Sequence, residues 1–382
     1  GSGGLTVAQQ IYDRFKAAGT PLNVGDITIV DGANHHYYQV TLVGAGLRNK
    51  SDFQQPMEGL VPKHINFVRE NVVAFSPTTS SVRTASGRNL TYDALVVATG
   101  LKIKWDAIQG LQDALANPGS GVSSIYSYDA CDKAWHDIEN LRSGQAIFTQ
   151  PAGVIKCAGA PQKIMWMAYD RFKRTNRLDK IQVNFCTGMP TMFSVKKYSD
   201  ALDDLRIQRG INGWEPIENN YAIQWDQRVV SLKTLFSSSM FTKDLMHVLK
   251  RNLLQCHWAV RTLTKRSYAT TLPDNHASRI VVVGAAPVLT ENLHCFLQNG
   301  KVGEAKYDGY SSCPLLTGYG KLMLAEFQYG FVPKETFSTF FNQAKSNRLF
   351  YYLKKDFFPF AYWNYMVKGK WFGRSGWSRP AL

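Results

Sequence analysis

Two cysteines stand in settings that favour thiol chemistry. Cys157 lies in VIKCAGAPQKIMW, just ahead of Pro161, and a proline there suits the first turn of a helix. A thiol near a helix N-terminus, with Lys156 and Lys163 close by in sequence, gains a lowered pKa and more nucleophilic character. Cys313 lies in KYDGYSSCPLLTGYG, which reads as a Gly/Ser/Pro-rich loop of the kind that presents reactive groups. Together such thiols could serve disulfide exchange. The competing reading makes each a small buried hydrophobe, the ordinary state of an unpaired cysteine. Cys131, Cys186, Cys256 and Cys295 lack comparable settings. Six cysteines in 382 residues are too sparse for a disulfide scaffold. Neither His35-His36 nor Cys256-His257 has the partners of a zinc centre, so the spacing singles out no metal site.

A second chemistry is written at the start of the chain. GSGGLTVAQQIYDRF reads either as a tag remnant or as the tail of a G-x-G-x-x-G turn, with a helix running on through Phe15. Ile27-Thr28-Ile29-Val30-Asp31 then reads as a strand ending in an acid. That βαβ spacing lets a carboxylate accept hydrogen bonds from an adenosine ribose. On this reading the first strand and first glycine of the motif lie upstream of Gly1.

Elements that could position these groups alternate along the chain. Residues 67–75 and 81–84 have strand periodicity, and Leu95 to Gly100 reads as a buried strand ending in Thr-Gly. Ala146-Ile147-Phe148 and Ile181 to Phe185 read as strands around a helix at 161–174, which makes a second α/β unit. Hydrophobic content of 45% with 19% charged residues is globular and excludes wholesale disorder. No apolar run approaches the ~20 residues of a spanning helix.

The net charge of +15 is concentrated. Residues 226–279 hold nine Lys/Arg against three acids, and residues 341–382 hold eight against Asp356 alone. Such a balance suits nucleic acid or an anionic lipid surface. Eleven aromatics fall in residues 350–372 beside Lys354, Lys355, Lys368 and Lys370, and Pro359 is expected to split this tail into two helical pieces. Aromatic faces next to lysines suit helices at a bilayer interface. A core-packing helix pair with a solvated basic rim is the alternative.

The two cysteine motifs, the LVGAG of Leu42 to Gly46 and the aromatic tail resemble mitochondrial-type sulfide:quinone oxidoreductases, especially their fungal heavy-metal-tolerance branch. The resemblance spans residues 1 to about 212 and 286–382. It implies two Rossmann-like dinucleotide-binding domains, FAD, a cysteine pair facing the flavin, and a quinone site at the membrane. Carried over by position, Ser2 and Gly3 match the phosphate-binding turn, Asp31 the ribose acid, and Gln39 and Val72 two further FAD contacts. Cys157 and Cys313 match the redox pair. The implied reaction oxidises hydrogen sulfide, reduces ubiquinone at the mitochondrial inner membrane and yields sulfur to a small acceptor such as glutathione. No nucleic-acid partner is implied.

The expected organisation is an FAD-binding domain over 1–145 lacking its first strand and a second Rossmann-like domain over 146–225. A basic segment unlike the family follows over 226–285, and a C-terminal region with Cys313 and the membrane-associating tail covers 286–382. The basic segment lacks the family's Gly-Asp strand end and Lys-Thr-Ala-Ala helix start, and 280–287 reads as a strand and turn. Two other readings follow from these features: a non-pumping NADH:quinone oxidoreductase of the same fold, and a membrane-associated remnant without catalysis.

Overall fold

The computed structural model describes residues 1–38, 41–100, 103–150, 157, 159–214, 222–225, 228–231, 261–264 and 279–376. Helix α1 (Ser2–Ala17) leads into strand β1 (Thr28–Val30). After a short antiparallel pair, β2 (His35–Tyr37) with β3 (Gln54–Pro56), comes β4 (Asn66–Val68), parallel to β1. Helix α2 (Thr41–Gly44) lies between β2 and β3. An antiparallel meander follows, β5 (Val72–Ser76), β6 (Ser81–Thr84) and β7 (Asn89–Thr91). Strand β8 (Ala94–Val97) and helices α3 (Leu111–Ala116) and α4 (Cys131–Asn140) complete this half.

The second unit is a right sequence of alternating elements: β9 (Gly144–Gln150), α5 (Ala160–Arg174), β10 (Ile181–Thr187), α6 (Lys196–Gln208) and β11 (Asn212–Trp214). Its three strands are all parallel in the order β11-β10-β9, as helical crossovers require. Helix α5 is buried on every side from Ala160 to Ala168, polar Gln162 and Lys163 included, and Met165, Trp166, Met167 and Ala168 are fully buried. A helix so enclosed belongs inside a core, between layers.

Strands β12 (Ala222–Trp225) and β13 (Arg228–Ser231) pair antiparallel, and so do β14 (Arg261–Thr264) and β8. Residues 279–299 correct the sequence reading. They form helix α7 (Arg279–Asn299) rather than a strand and turn at 280–287. Ala286, Leu289 and Leu293 recur at helical spacing and bury against Val7, Ile11 and Phe15 of α1. Packing of that face outweighs the strand preference of the valine run.

The chain ends in β15 (Ser311–Gly318), β16 (Lys321–Gln328) and β17 (Val332–Pro333), an antiparallel sheet, followed by the tail. Pro359 does not split that tail. Helix α8 (Arg348–Tyr352), a π turn, helix α9 (Phe358–Ala361) and a second π turn run on without a break to Met366. Bonding to i+5 in a π turn relieves the usual clash of a proline ring with the preceding turn. Phe350, Tyr351, Tyr362 and Trp363 join the main core. Thr6 donates to the Met366 carbonyl at 2.9 Å, and Gln10 donates to those of Gly369 and Trp371. Gly369 passes so close to α1 that a Cβ there would lie 2.8 Å from Gln9 Cβ. The tail therefore holds the first helix in place.

Candidate active site

Helix α5 and strand β15 bring the two cysteines together. Cys157 precedes α5 by one turn, in a left-handed backbone conformation (φ 57°), and its carbonyl accepts from Ala160 N at 2.7 Å. That backbone costs a non-glycine residue about 1–2 kcal/mol. Cys313 is buried on β15, opposite Ala325 of β16, not on a loop as its Gly/Ser/Pro-rich surroundings suggest. Pro314 is tolerated because β15 is an edge strand, where a missing N–H breaks no ladder. The hairpin turn after β15 is locked from outside. Tyr319 N donates to Asp170 of α5 at 2.8 Å, and its hydroxyl donates to the Ala45 carbonyl of the LVGAG segment at 2.8 Å.

Lys163, one turn into α5, is almost fully buried and reaches both sulfurs, at 3.4 Å from Cys157 and 3.9 Å from Cys313. The Cys313 thiol donates to Cys157, and this bond, opposed by burial and aided by Lys163 and Lys354, holds the Cys157 thiol well below its ordinary range. Cys313, as the proton donor in a buried place, is pushed up. The lysine ammonium is retained despite desolvation because both sulfurs favour its charge. Tyr126 lies within electrostatic reach of both sulfurs, and burial above all keeps its hydroxyl protonated. By contrast, burial raises the Cys131 thiol to about 12 and also raises Cys186. Both suit inert cysteines.

Lys354 is the residue that sequence reasoning misplaced. It is buried at 2% exposure, so it does not meet lipid phosphates. Its Nζ lies 3.4 Å from the Tyr38 hydroxyl, and its charge acts on both cysteines. The signal was present in helical spacing: Lys354 follows buried Phe350 and Tyr351 by four and three residues, on the inward face. Lys156 lies outside the described residues.

A second group forms at the N-terminus of α1. That end has no side-chain cap, so the first backbone N–H groups there have no intrahelical partner and suit an anion. Asp31 stands beside it, with Oδ2 3.0 Å from the Gly1 nitrogen. Gly32 packs against Asn71, where a Cβ would lie 2.4 Å from its Oδ1, which puts Asp31 next to the start of β5 and Val72. Ser2 hydrogen-bonds Tyr362, and His36 Nε2 meets both hydroxyls. Gln39 lies outside the described residues. The two groups are connected: the Tyr38 ring, contacted by Lys354, packs 4.6 Å from that of Tyr362. An acid beside a helix N-terminus is the arrangement at which dinucleotide-binding folds meet a ribose and a phosphate.

No protein-family model matches the chain. Among curated proteins, the mitochondrial sulfide:quinone oxidoreductase of Schizosaccharomyces pombe is 41% identical, over 98% of this chain and 90% of its own length. That of Dictyostelium discoideum is 36% identical over 98% and 86%. The crystal structure of the Aquifex aeolicus sulfide:quinone oxidoreductase shares the fold at a TM-score of 0.69 and 15% identity, covering 95% of this chain and 90% of that one. The wider flavoprotein fold extends to putidaredoxin reductase, at a TM-score of 0.51. The fold is therefore shared with both of these structures. With relatives above 30% identity matched along nearly their whole length, this chain belongs to the sulfide:quinone oxidoreductase family.

Proposed function

We propose that this protein oxidises hydrogen sulfide through Cys157 and Cys313 and delivers the electrons, by way of FAD, to ubiquinone. The observation that carries this is geometric: the buried Lys163 ammonium reaches both sulfurs, at 3.4 Å from Cys157 and 3.9 Å from Cys313, with Lys354 also buried. In its oxidised form the pair is a disulfide. Hydrosulfide attacks the Cys313 sulfur, the bond to Cys157 breaks, and a new sulfur–sulfur bond leaves a persulfide on Cys313. Cys157 departs as the thiolate, which is the better leaving group because its charge is already compensated. A small thiolate such as glutathione then attacks the outer sulfur and carries it away, leaving Cys313 reduced. FAD, when bound, supplies the two-electron acceptor that restores the disulfide and reduces the quinone.

The residues suited to hold that cofactor are the α1 N-terminus with Ser2 and Gly3 for the pyrophosphate, Asp31 for the ribose, and Gln39 and Val72 along its length. Domain limits near 145 and 225 accompany this reading. The location proposed is the mitochondrial inner membrane, held peripherally. Among the described residues no helix is long and apolar enough to cross a membrane. The test is sulfide-dependent reduction of a soluble ubiquinone analogue by flavin-loaded protein. Cys157→Ser and Cys313→Ser should each abolish turnover, while Cys131→Ser and Cys186→Ser should not. Turnover retained in either of the first pair would overturn the assignment.

A further inference from the structure

Helix α7 carries a cluster that the sulfide chemistry does not use. Glu291, His294 and Cys295 offer a carboxylate oxygen, a ring nitrogen and a sulfur, all within 4.8 Å of one another. Their spacing of i, i+3 and i+4 puts them on neighbouring turns of one helix. His294 is only 3% exposed, and neither ring nitrogen has a hydrogen-bond partner among the described residues. A buried imidazole without partners is unusual and calls for a ligand. Its ring is held by the edge of Phe15 from α1, at 4.7 Å between centroids.

The other two donors are also positioned in advance. Arg14 of α1 donates from Nε to Glu291 Oε2 at 2.7 Å and from Nη2 to Oε1 at 2.9 Å. Each carboxylate oxygen keeps a further lone pair, and such outer bonds orient metal-binding carboxylates. Cys295 Sγ leans towards Glu291 Oε1 at 3.9 Å. Behind it the chain passes at Gly303, where a Cβ would lie 3.1 Å from the sulfur.

We propose that Glu291, His294 and Cys295 bind a divalent cation of the zinc class, with a fourth position left to water. Sulfur and imidazole donors select against magnesium and calcium, which take oxygen. Three protein ligands with an open fourth position are a common zinc arrangement. On binding, the Cys295 S–H bond breaks, its proton goes to solvent, and a sulfur–metal bond forms without change of oxidation state.

The probe is Co²⁺, added to the full chain and followed by absorption. One saturable equivalent should give a near-ultraviolet thiolate-to-cobalt band with visible bands of tetrahedral type, reversed by Zn²⁺. Cys295→Ser should remove the thiolate band, and Glu291→Gln should weaken Co²⁺ binding roughly tenfold or more. Cys313→Ser should retain the band, which separates this cluster from the sulfide site. A band that survives Cys295→Ser, or one lost in Cys313→Ser, or no saturable band at all would each overturn the proposal.

Discussion

At the scale of single residues, the Cys157 thiol is held low by the hydrogen bond from Cys313 and by the lysine charge behind it, rather than by the helix end alone. Lys163 sits 3.4 Å away in a nearly dry setting, where an ion pair is screened little. Lys163→Met keeps the length and removes the charge. The Cys157 thiol should then titrate higher, so the pH midpoint of its alkylation should move up. Peptide-resolved mass spectrometry of iodoacetamide labelling across pH measures this. An unmoved midpoint would show that the hydrogen bond from Cys313 suffices without the lysine. Lys163 was legible from the sequence because it follows Cys157 within two helical turns. Lys354 was not, because its neighbour Lys355 and the surrounding aromatics look equally suited to a membrane surface. Only the inward face of α8 and the π turn after it decide which of the two lysines is buried.

At the scale of elements, the site is the seam between α5 and β15, and its tightest point is Gly159. The backbone there is ordinary right-handed helix (φ −85°, ψ −8°), so an alanine meets no conformational objection. Its Cβ would nevertheless lie 2.3 Å from Leu315 Cδ2 and 3.3 Å from Cys313 Sγ. Gly159→Ala should therefore destabilise by about 1–3 kcal/mol through overpacking. Leu315→Ala alone should cost about 2–5 kcal/mol. The double variant should fall well short of the sum, since each change makes room for the other. Urea melts of the four proteins give the coupling, and strict additivity would refute a shared contact. The tail is the other element to test. Leu349, Tyr352 and Phe360 are its exposed apolar side chains, and Lys368 and Lys370 are exposed near them. Phe360→Ser with Lys368→Glu and Lys370→Glu should lower flotation with cardiolipin-containing liposomes, each lysine contributing about 1 kcal/mol near the surface. Lys354→Met should leave flotation unchanged while impairing turnover. Equal losses in both variants would return Lys354 to the lipid face.

At the scale of the whole molecule, the two site groups are parts of one assembly, because the tail packs on α1 and also supplies Lys354. Cofactor retention is the property in question. The segment before α7 lacks the Gly-Asp and Lys-Thr-Ala-Ala elements that the family resemblance leads one to expect, so fewer groups meet a pyrophosphate and a flavin ring. The flavin-to-protein ratio after gel filtration should accordingly fall below one. Stoichiometric flavin would mean that α1, Asp31 and the tail suffice. The sequence by itself determined the β9-α5-β10 unit and the helix from Ser2, and it singled out Cys157 and Cys313, which the structure places together. Each of these is a local pattern: a hydrophobic period, a turn residue or a proline at a helix start. Tertiary structure decided what local pattern leaves open. It made a strand of the Cys313 segment, a helix of the valine run at 281–283 and a core element of the aromatic tail. It also chose Lys354 over Lys355 as the buried lysine whose charge acts on the sulfurs. In every such case the deciding term is burial against a partner distant in sequence, α5 for the Cys313 strand, α1 for α7 and the core for the tail, and local propensity is too weak to oppose it.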